Sequence, residues 1–344
     1  MKGRIIALDH IGGREAAARL VDGVLDDLLI DDDSQPRPGA IFRAICDRPM
    51  KGQGGMMLRL PDGETGFLRQ GKGLRPGQPI LVQVTGYTEP GKAIPVTERL
   101  LFKSRYAIVT PGAPGINISR QIDDEELRGR LRITAEDVMT EDFGLILRSS
   151  CVGVTDDDLA EDIAAMQDLA VAVMADADGT EPEALTEGDG PHVLAWREWT
   201  ERADVDTDEG AFEHLGVLDQ MEQLRDPLVM LSDGSMYVEA TRALVAVDVN
   251  TGGDTSPAAA LKCNLAAARA LPRALRLRGL GGQIAIDFAP MSKAHRKQIE
   301  QSLRAAFKAD GIETSLVGWT TMGLFEAQRK RERLAITPLL DSVL

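Results

Sequence analysis

Two carboxylates stand at the ends of apolar runs in the last third of the chain. ALVAVDVNTGGDTS (243–256) closes its apolar run at Asp248 and Asn250, and QIAIDF (283–288) closes at Asp287. If these runs are neighbouring strands, their backbones lie about 5 Å apart. The two carboxylates then share one small space, and like charges that close favour a cation between them. Mg²⁺, a hard cation that keeps several waters, suits one or two carboxylates plus a phosphate. Asn250 is two residues beyond Asp248 and faces the same side of the strand, where its amide can orient a carboxylate or bind a metal-bound water. The chemistry within reach is activation of water and charge stabilisation at a phosphodiester. Either aspartate alone is as readily a turn residue. The pair is harder to dismiss, because each member follows an apolar strand and precedes a capped helix. Arg273, Arg276 and Arg278 at the end of the intervening helix, and Lys293, Arg296 and Lys297 at the start of the next, favour phosphate. An arginine in a helix's last turn also complements the helix dipole without any ligand.

These residues need elements to hold them. Residues 243–249 read as a strand, and Ser256 caps a helix with Pro257 at its first position. That helix runs towards Arg278 and stops at GLGG, and Pro272 is expected to kink it or end it early. A second strand at 283–288 leads to a helix capped by Ser292. A third strand is expected at 313–318, with a helix at RKRER. Strand and helix in alternation imply a parallel sheet with right-handed crossovers. Upstream, RIIALD (4–9) and DDLLID (26–31) read as strands with a helix-like EAAARLVDG between them. From 41 to 102, short strand-like runs alternate with Gly/Pro turns, the pattern of a small barrel or meander. A strand follows at 106–110. A short helix and then a strand at 144–149 come next. Thr155 and Asp158 form a capping box for a helix, 175–191 reads as an exposed acidic loop, and SDGS (232–235) as a hairpin turn.

The 344 residues exceed what one domain usually needs. The net charge of −15 counts against a nucleic-acid binder when taken alone, but base gathers locally at 269–278, 293–297 and 329–333. Cys46, Cys151 and Cys263 are far apart and form no CxxC, which argues against disulfides and a thiolate zinc site and suits a cytoplasmic location. No apolar run reaches the length of a membrane span.

The segments ALVAVDVNTG, NLAAARALPRALRLRGLGGQIAIDFAPM and TTMGLFEAQRKR together resemble the catalytic segment of the ribonuclease E/G family of endoribonucleases. LSDGSMYVEATRAL resembles the strand pair before it. YAIVTPGAPGINISRQI and FGLILRSSCVG resemble the family's 5′-end sensor. The resemblance implies a mixed α/β fold: a ribonuclease H-like domain split between 1–37 and 156–240, a reduced OB-type RNA-binding barrel at 38–102, a sensor segment at 103–155, and a DNase I-like catalytic domain at 241–344. It implies Mg²⁺-dependent cleavage of single-stranded RNA in RNA processing or decay. Asp248 and Asp287 match the metal ligands and Asn250 the accompanying asparagine. Arg148 and Ser149 match the pair that grips a 5′-monophosphate, with Ser104 and Ile108 at backbone positions of the same sensor. Phe67 matches an RNA-stacking aromatic and Lys92 a basic contact, and Arg276 and Arg278 are expected as further contacts to the RNA backbone. A second stacking aromatic is replaced near Met57 or Leu58.

The chain also departs from the family. The loop after Asn250 is a few residues short. Pro290 stands where the family has a second acidic residue, and Ser104 where it has Gly. The sequence stops soon after RKRER, so no structural zinc is expected, and a homodimer would have to form through 243–344. Two other readings stay open: an RNA-binding protein of the same family that no longer cuts, and a metal phosphoesterase acting on small nucleotides.

Overall fold

Tight turns decide the first thirty residues. Gly12 and Gly13 both take positive φ (56° and 79°), as do Asp22 and Gly23 (52° and 80°), the backbone that type I′ hairpin turns require. In the computed structural model, which describes residues 2–343 apart from 51, 53, 90 and 141, these turns fold β1 (Arg4–Ile11), β2 (Arg14–Val21) and β3 (Val24–Ile30) into an antiparallel meander. The helix expected over EAAARLVDG is therefore strand β2. Two turns only eight residues apart outweigh the helix preference of its alanines, and Ala16, Ala17 and Ala18 are completely buried.

The chain divides into two units, 33–201 and the combination of 1–32 with 202–344. In the first, β4 (Ile41–Met50), β5 (Gly55–Arg59), β6 (Thr65–Leu68), β7 (Pro79–Val84) and β8 (Ile94–Thr97) pair in the order β4-β5-β6-β8-β7. β7 returns to β4 and closes a five-stranded barrel around Phe42, Leu58, Leu68, Val82 and Val96. β9 (Phe102–Lys103), β10 (Ala107–Pro111), β11 (Gly115–Ile118) and, after α1 (Glu125–Val138), β12 (Phe143–Leu147) form a second sheet, ordered β11-β12-β10-β9. α2 (Asp156–Ala175) packs Leu159 and Ile163 into the same core as Leu145 and Leu147. The Thr155 hydroxyl donates to the Asp158 carboxylate (2.6 Å) and accepts the Asp158 N–H (3.1 Å), as the capping box predicts. Within the expected acidic loop, β13 (Glu183–Thr186) adds to the edge of β4. There Arg43 of β4 pairs with Glu183 and donates to two backbone carbonyls, so acid that looked free on the page fastens the segment down. α3 (Pro191–Glu198) ends this unit.

In the second unit β14 (Asp204–Asp206) lies parallel to β1, and α4 (Ala211–His214) and α5 (Val217–Glu222) pack Phe212, Val217 and Met221 beside the meander. The remainder is β15 (Leu228–Leu231), β16 (Gly234–Ala240), β17 (Val245–Asn250), α6 (Pro257–Leu277), β18 (Gly282–Asp287), α7 (Lys293–Asp310), β19 (Thr314–Trp319), β20 (Phe325–Arg329) and α8 (Ile336–Val343). Its six-stranded sheet runs β15-β16-β17-β18-β20-β19. The parallel sheet expected from strand–helix alternation is realised only between β17 and β18; the other pairings are antiparallel. β20 is inserted between β18 and β19, so RKRER is not a helix: Arg329 ends β20, and the chain stays irregular until α8.

α6 and α7 bury Cys263, Ala267, Leu271, Ile299 and Leu303 against one sheet face. The other face is exposed, and this is why β17 reads Val-Ala-Val-Asp-Val-Asn with every second residue apolar and buried. The α6 helix passes through Pro272 without ending. Its burial beside Leu271 and Leu275 outweighs the one hydrogen bond that proline cannot make.

Candidate active site

Strand register brings the two aspartates together. β17 and β18 are parallel neighbours, and Asp248 is the direct cross-strand partner of Asp287. Both side chains are exposed on the open face. The Asn250 amide donates to the Asp248 carboxylate at 2.8 Å, which fixes that carboxylate in place. Among the described residues, no third histidine, cysteine or carboxylate gathers with them. A cation held here would have two carboxylates from the protein and would need water or substrate for the rest of its shell, which suits a hard, hydrated ion.

Both strand ends are held from behind. Asn264 on α6 is fully buried, and its side-chain amide makes two bonds with Ala289, accepting from the N–H (3.0 Å) and donating to the carbonyl (2.9 Å). The chain two residues past Asp287 is thereby pinned to the helix. At β17 the Asn250 carbonyl accepts from the Cys263 thiol (3.4 Å). Gly234, at φ 147°, approaches it so closely that a Cβ there would lie 2.2 Å from the same oxygen. On the exposed side Tyr237 of β16 is the cross-strand partner of Asp248 and is 39% exposed. Sequence reading did not single it out; its position two residues before Glu239 in an alternating strand is the only signal it offers.

Arg276 and Arg278 are not available to RNA, which corrects their expected role. Arg276 is 8% exposed and Arg278 7%. Arg276 reaches Asp27 (3.3 Å) and Asp26 (3.4 Å) at the end of the meander and also pairs with Asp310. Arg278 donates to the Asp226 carbonyl (2.8 Å). Arg273 likewise donates to the Leu25 carbonyl (2.9 Å). Arg273 and Arg276 tie the end of α6 to β3, and Arg278 ties it to the turn before β15.

The residues expected to form a sensor lie in the other unit. Arg148 follows directly on β12, and its guanidinium donates to the Ser104 carbonyl (2.9 Å) and to the Glu198 carboxylate (2.5 Å). Ser149 follows in a short 3-10 turn. Ile108 sits in β10, with Lys103 on one side and Ile146 on the other. The Ser104 hydroxyl accepts the Ala107 N–H (3.0 Å) and donates to Asp162. Burial pushes the Asp162 carboxyl above the ordinary range, against that hydrogen bond. Glu198 went unnoticed in the sequence, where REW at 197–199 carries no signal. Burial alone would raise its carboxyl, but Arg197 and Arg148 more than offset this and hold it below the usual range. The pair with Arg148 is therefore present at neutral pH and is lost as pH falls through that lowered value.

On the barrel, Phe67 points outward and is half-buried, since its neighbours Gly66 and Leu68 take the core side. It lies beside Met57 of β5 and Pro95 of β8, and its ring covers Gly55. Leu58 is in the barrel core. Met57 is thus the residue on Phe67's face. Lys92 is exposed and paired with Glu89.

The chain is a mixed α/β protein with two exposed aspartates paired at neighbouring strand ends and a small OB-like five-stranded barrel. The model of the Ribonuclease E/G family matches residues 102–207 and 197–332, and the chain belongs to that family. It is 29% identical over 311 residues to Ribonuclease G of Salmonella typhimurium (strain SL1344) and, equally, to Ribonuclease G of Escherichia coli (strain K12); each alignment covers 78% of this chain and 62% of the relative. Ribonuclease E of Nostoc sp. (strain PCC 7120) is 28% identical over 300 residues, covering 75% of this chain and 44% of the relative. The chain thus spans less than two thirds of the length of these relatives.

Proposed function

We propose that this chain is an endoribonuclease that cuts single-stranded RNA with Mg²⁺ at Asp248 and Asp287, acting in cytoplasmic RNA processing or decay. One observation carries the reading: the two carboxylates are register partners on neighbouring parallel strands and open to solvent. Their oxygens, with the Asn250 amide bonded to one of them, are a fitting donor set for Mg²⁺. Bound there, the ion would supply Lewis-acid activation of water and neutralise charge on the phosphodiester. Asn250 keeps the Asp248 carboxylate oriented, and Asn264 keeps β18 and Asp287 in line. Phe67 is proposed as a base-stacking platform and Lys92 as a backbone contact, the general mode for single strands. The finer architecture of this reading is a ribonuclease H-like domain from 1–37 and 156–240 and a DNase I-like domain at 241–344, with any homodimer formed through the latter and no structural zinc.

Arg148, Ser149, Ser104 and Ile108 are proposed to hold a 5′-monophosphate. Glu198 already occupies the Arg148 guanidinium, so a phosphate must displace a carboxylate. The test compares cleavage of 5′-monophosphate and 5′-hydroxyl RNA of one sequence, with and without Mg²⁺. Mg²⁺-dependent cuts inside the RNA are expected, with only a small preference for the monophosphate. Tight RNA binding without any cleavage would sink the nuclease reading. In Glu198→Gln the carboxylate no longer competes, and the preference for 5′-monophosphate RNA should rise several-fold. An unchanged ratio between the two RNAs would remove Glu198 from the sensor.

A further inference from the structure

The helix-covered face of the sheet ends, beside the start of α7, at a rim where an arginine makes no ion pair among the described residues. Arg296, in the first turn of α7, has its guanidinium carbon over the Trp319 ring, 4.5 Å from the ring centroid. Trp319 is fixed in turn by the Phe325 ring (5.2 Å), the Phe288 ring (5.8 Å) and a bond from its indole N–H to Glu300 (2.6 Å). Among the described residues, Arg296 makes no hydrogen bond or ion pair, and its buried Nε has no partner. This is unusual for a guanidinium, whose five donors ordinarily find acceptors. It also stands at the end of the helix where positive charge is disfavoured, and α7 has no acidic residue in its first turn to compensate.

The position of this cation matters. Trp319 pairs across the sheet with Phe325, and Phe325 with Ile286. The residue after Ile286 is Asp287, and Phe288 beyond it touches Trp319. The β19–β20 turn reaches the same rim, and a Cβ on its Gly323 would lie 3.7 Å from an Arg296 amino nitrogen. Arg296 thus sits at the edge of the sheet beside the end of β18, on the helix-covered side, and the Asp287 side chain stands on the open side of the same strand end.

We propose that Arg296 binds a phosphate of the RNA backbone adjoining the one held at Asp248 and Asp287, and so positions the strand over the carboxylate pair. The proposal rests on the ribonuclease reading above. Trp319 backs the guanidinium on one side, and a planar fork facing phosphate oxygens makes paired, charge-assisted bonds. The phosphate role expected for Arg276 and Arg278 passes to the start of the next helix.

The test is binding of a fluorescein-labelled oligouridylate by anisotropy across a salt series, without divalent cations so that the probe stays intact. Arg296→Ala should weaken binding roughly tenfold, as for loss of one charged hydrogen-bonding contact, and lower the salt slope by about one. Arg296→Gln, which keeps a planar group on Trp319 but no charge, should match it. Arg296→Lys should keep the slope and lose only a few-fold in affinity. With Mg²⁺ and cleavable RNA, the alanine and glutamine variants should raise KM with kcat within a few-fold of the parent. Arg304→Ala, further along α7 and exposed, removes the same charge and should leave the slope unchanged. Parental affinity and slope in Arg296→Gln would overturn the proposal, as would an Arg304→Ala effect equal to that at Arg296. A parent protein that does not bind the oligouridylate would overturn the ribonuclease reading itself, and this inference with it.

Discussion

Asp287→Asn is expected to lower the rate of RNA cleavage by at least about a hundredfold while the protein stays folded, and Asp248→Asn to do the same. Lewis-acid assistance is worth several kcal/mol of barrier, and each 1.4 kcal/mol is about tenfold in rate. The two residues are cross-strand partners, and in the proposed reading they hold one ion as a unit. The double variant should therefore be little worse than either single one, because effects within such a unit do not add. Asparagine at 248 can still accept the Asn250 amide hydrogen bond, which leaves charge as the main loss. Both positions are exposed, so stability should move by no more than about 0.5 kcal/mol. Single-turnover cleavage of a labelled RNA over a range of Mg²⁺, beside thermal unfolding of each variant, measures both quantities. A variant that cuts as fast as the parent at every Mg²⁺ concentration would remove these carboxylates from the site.

The carboxylate pair was legible because the information was local. Val-Ala-Val-Asp-Val-Asn and Ile-Ala-Ile-Asp each place an aspartate at a strand end, and one helix between two strands makes them parallel neighbours. The capping box at Thr155, the Ser256 cap and the SDGS hairpin were readable for the same reason, since each depends on residues within a turn of one another. The misreadings concern longer range. EAAARLVDG has the composition of a helix, and only the two flanking turns together make it a strand. The place of β20 between β18 and β19 is a choice of partner that the alternation of elements does not encode. The acidic segment 175–191 gained a strand because Arg43, more than a hundred residues earlier, supplies its counter-charge. Arg276 and Arg296 show the same limit from opposite sides. Both are arginines near a helix end; Arg276 meets Asp26 and Asp27 from the far end of the chain and is buried, whereas Arg296 meets an indole ring and, among the described residues, makes no ion pair.

That contrast fixes the second large effect, which is on stability. Asp310 at the end of α7 is shared by Arg276 and Arg329. The exposed fraction of the side chain is 2% for Asp310, 8% for Arg276 and 1% for Arg329. Arg276 also carries the pairs to Asp26 and Asp27, so Asp310 sits at the junction between α6, α7, β20 and the N-terminal meander. Such a cluster can stabilise little more than well-packed apolar residues would, but removing one member leaves buried charge unmatched, at a cost of about 3–5 kcal/mol. Asp310→Ala leaves two arginines facing each other with no carboxylate between them and should reach that range. For a unit of this size each kcal/mol lowers the melting temperature by roughly 2–4 °C, so a fall of about 10 °C is expected in a thermal scan at neutral pH. Arg276→Met should cost less, because methionine fills much of the volume and each carboxylate left behind keeps another arginine: Asp26 has Arg19 (2.6 Å), Asp27 has Arg333 (3.3 Å) and Asp310 has Arg329 (2.6 Å). The folded Arg276→Met protein should bind oligouridylate with the parental salt slope, whereas Arg296→Gln should not. If Arg276→Met instead lost a unit of slope at unchanged stability, the buried network would not be what Arg276 is for, and the phosphate contact first expected of it would be restored.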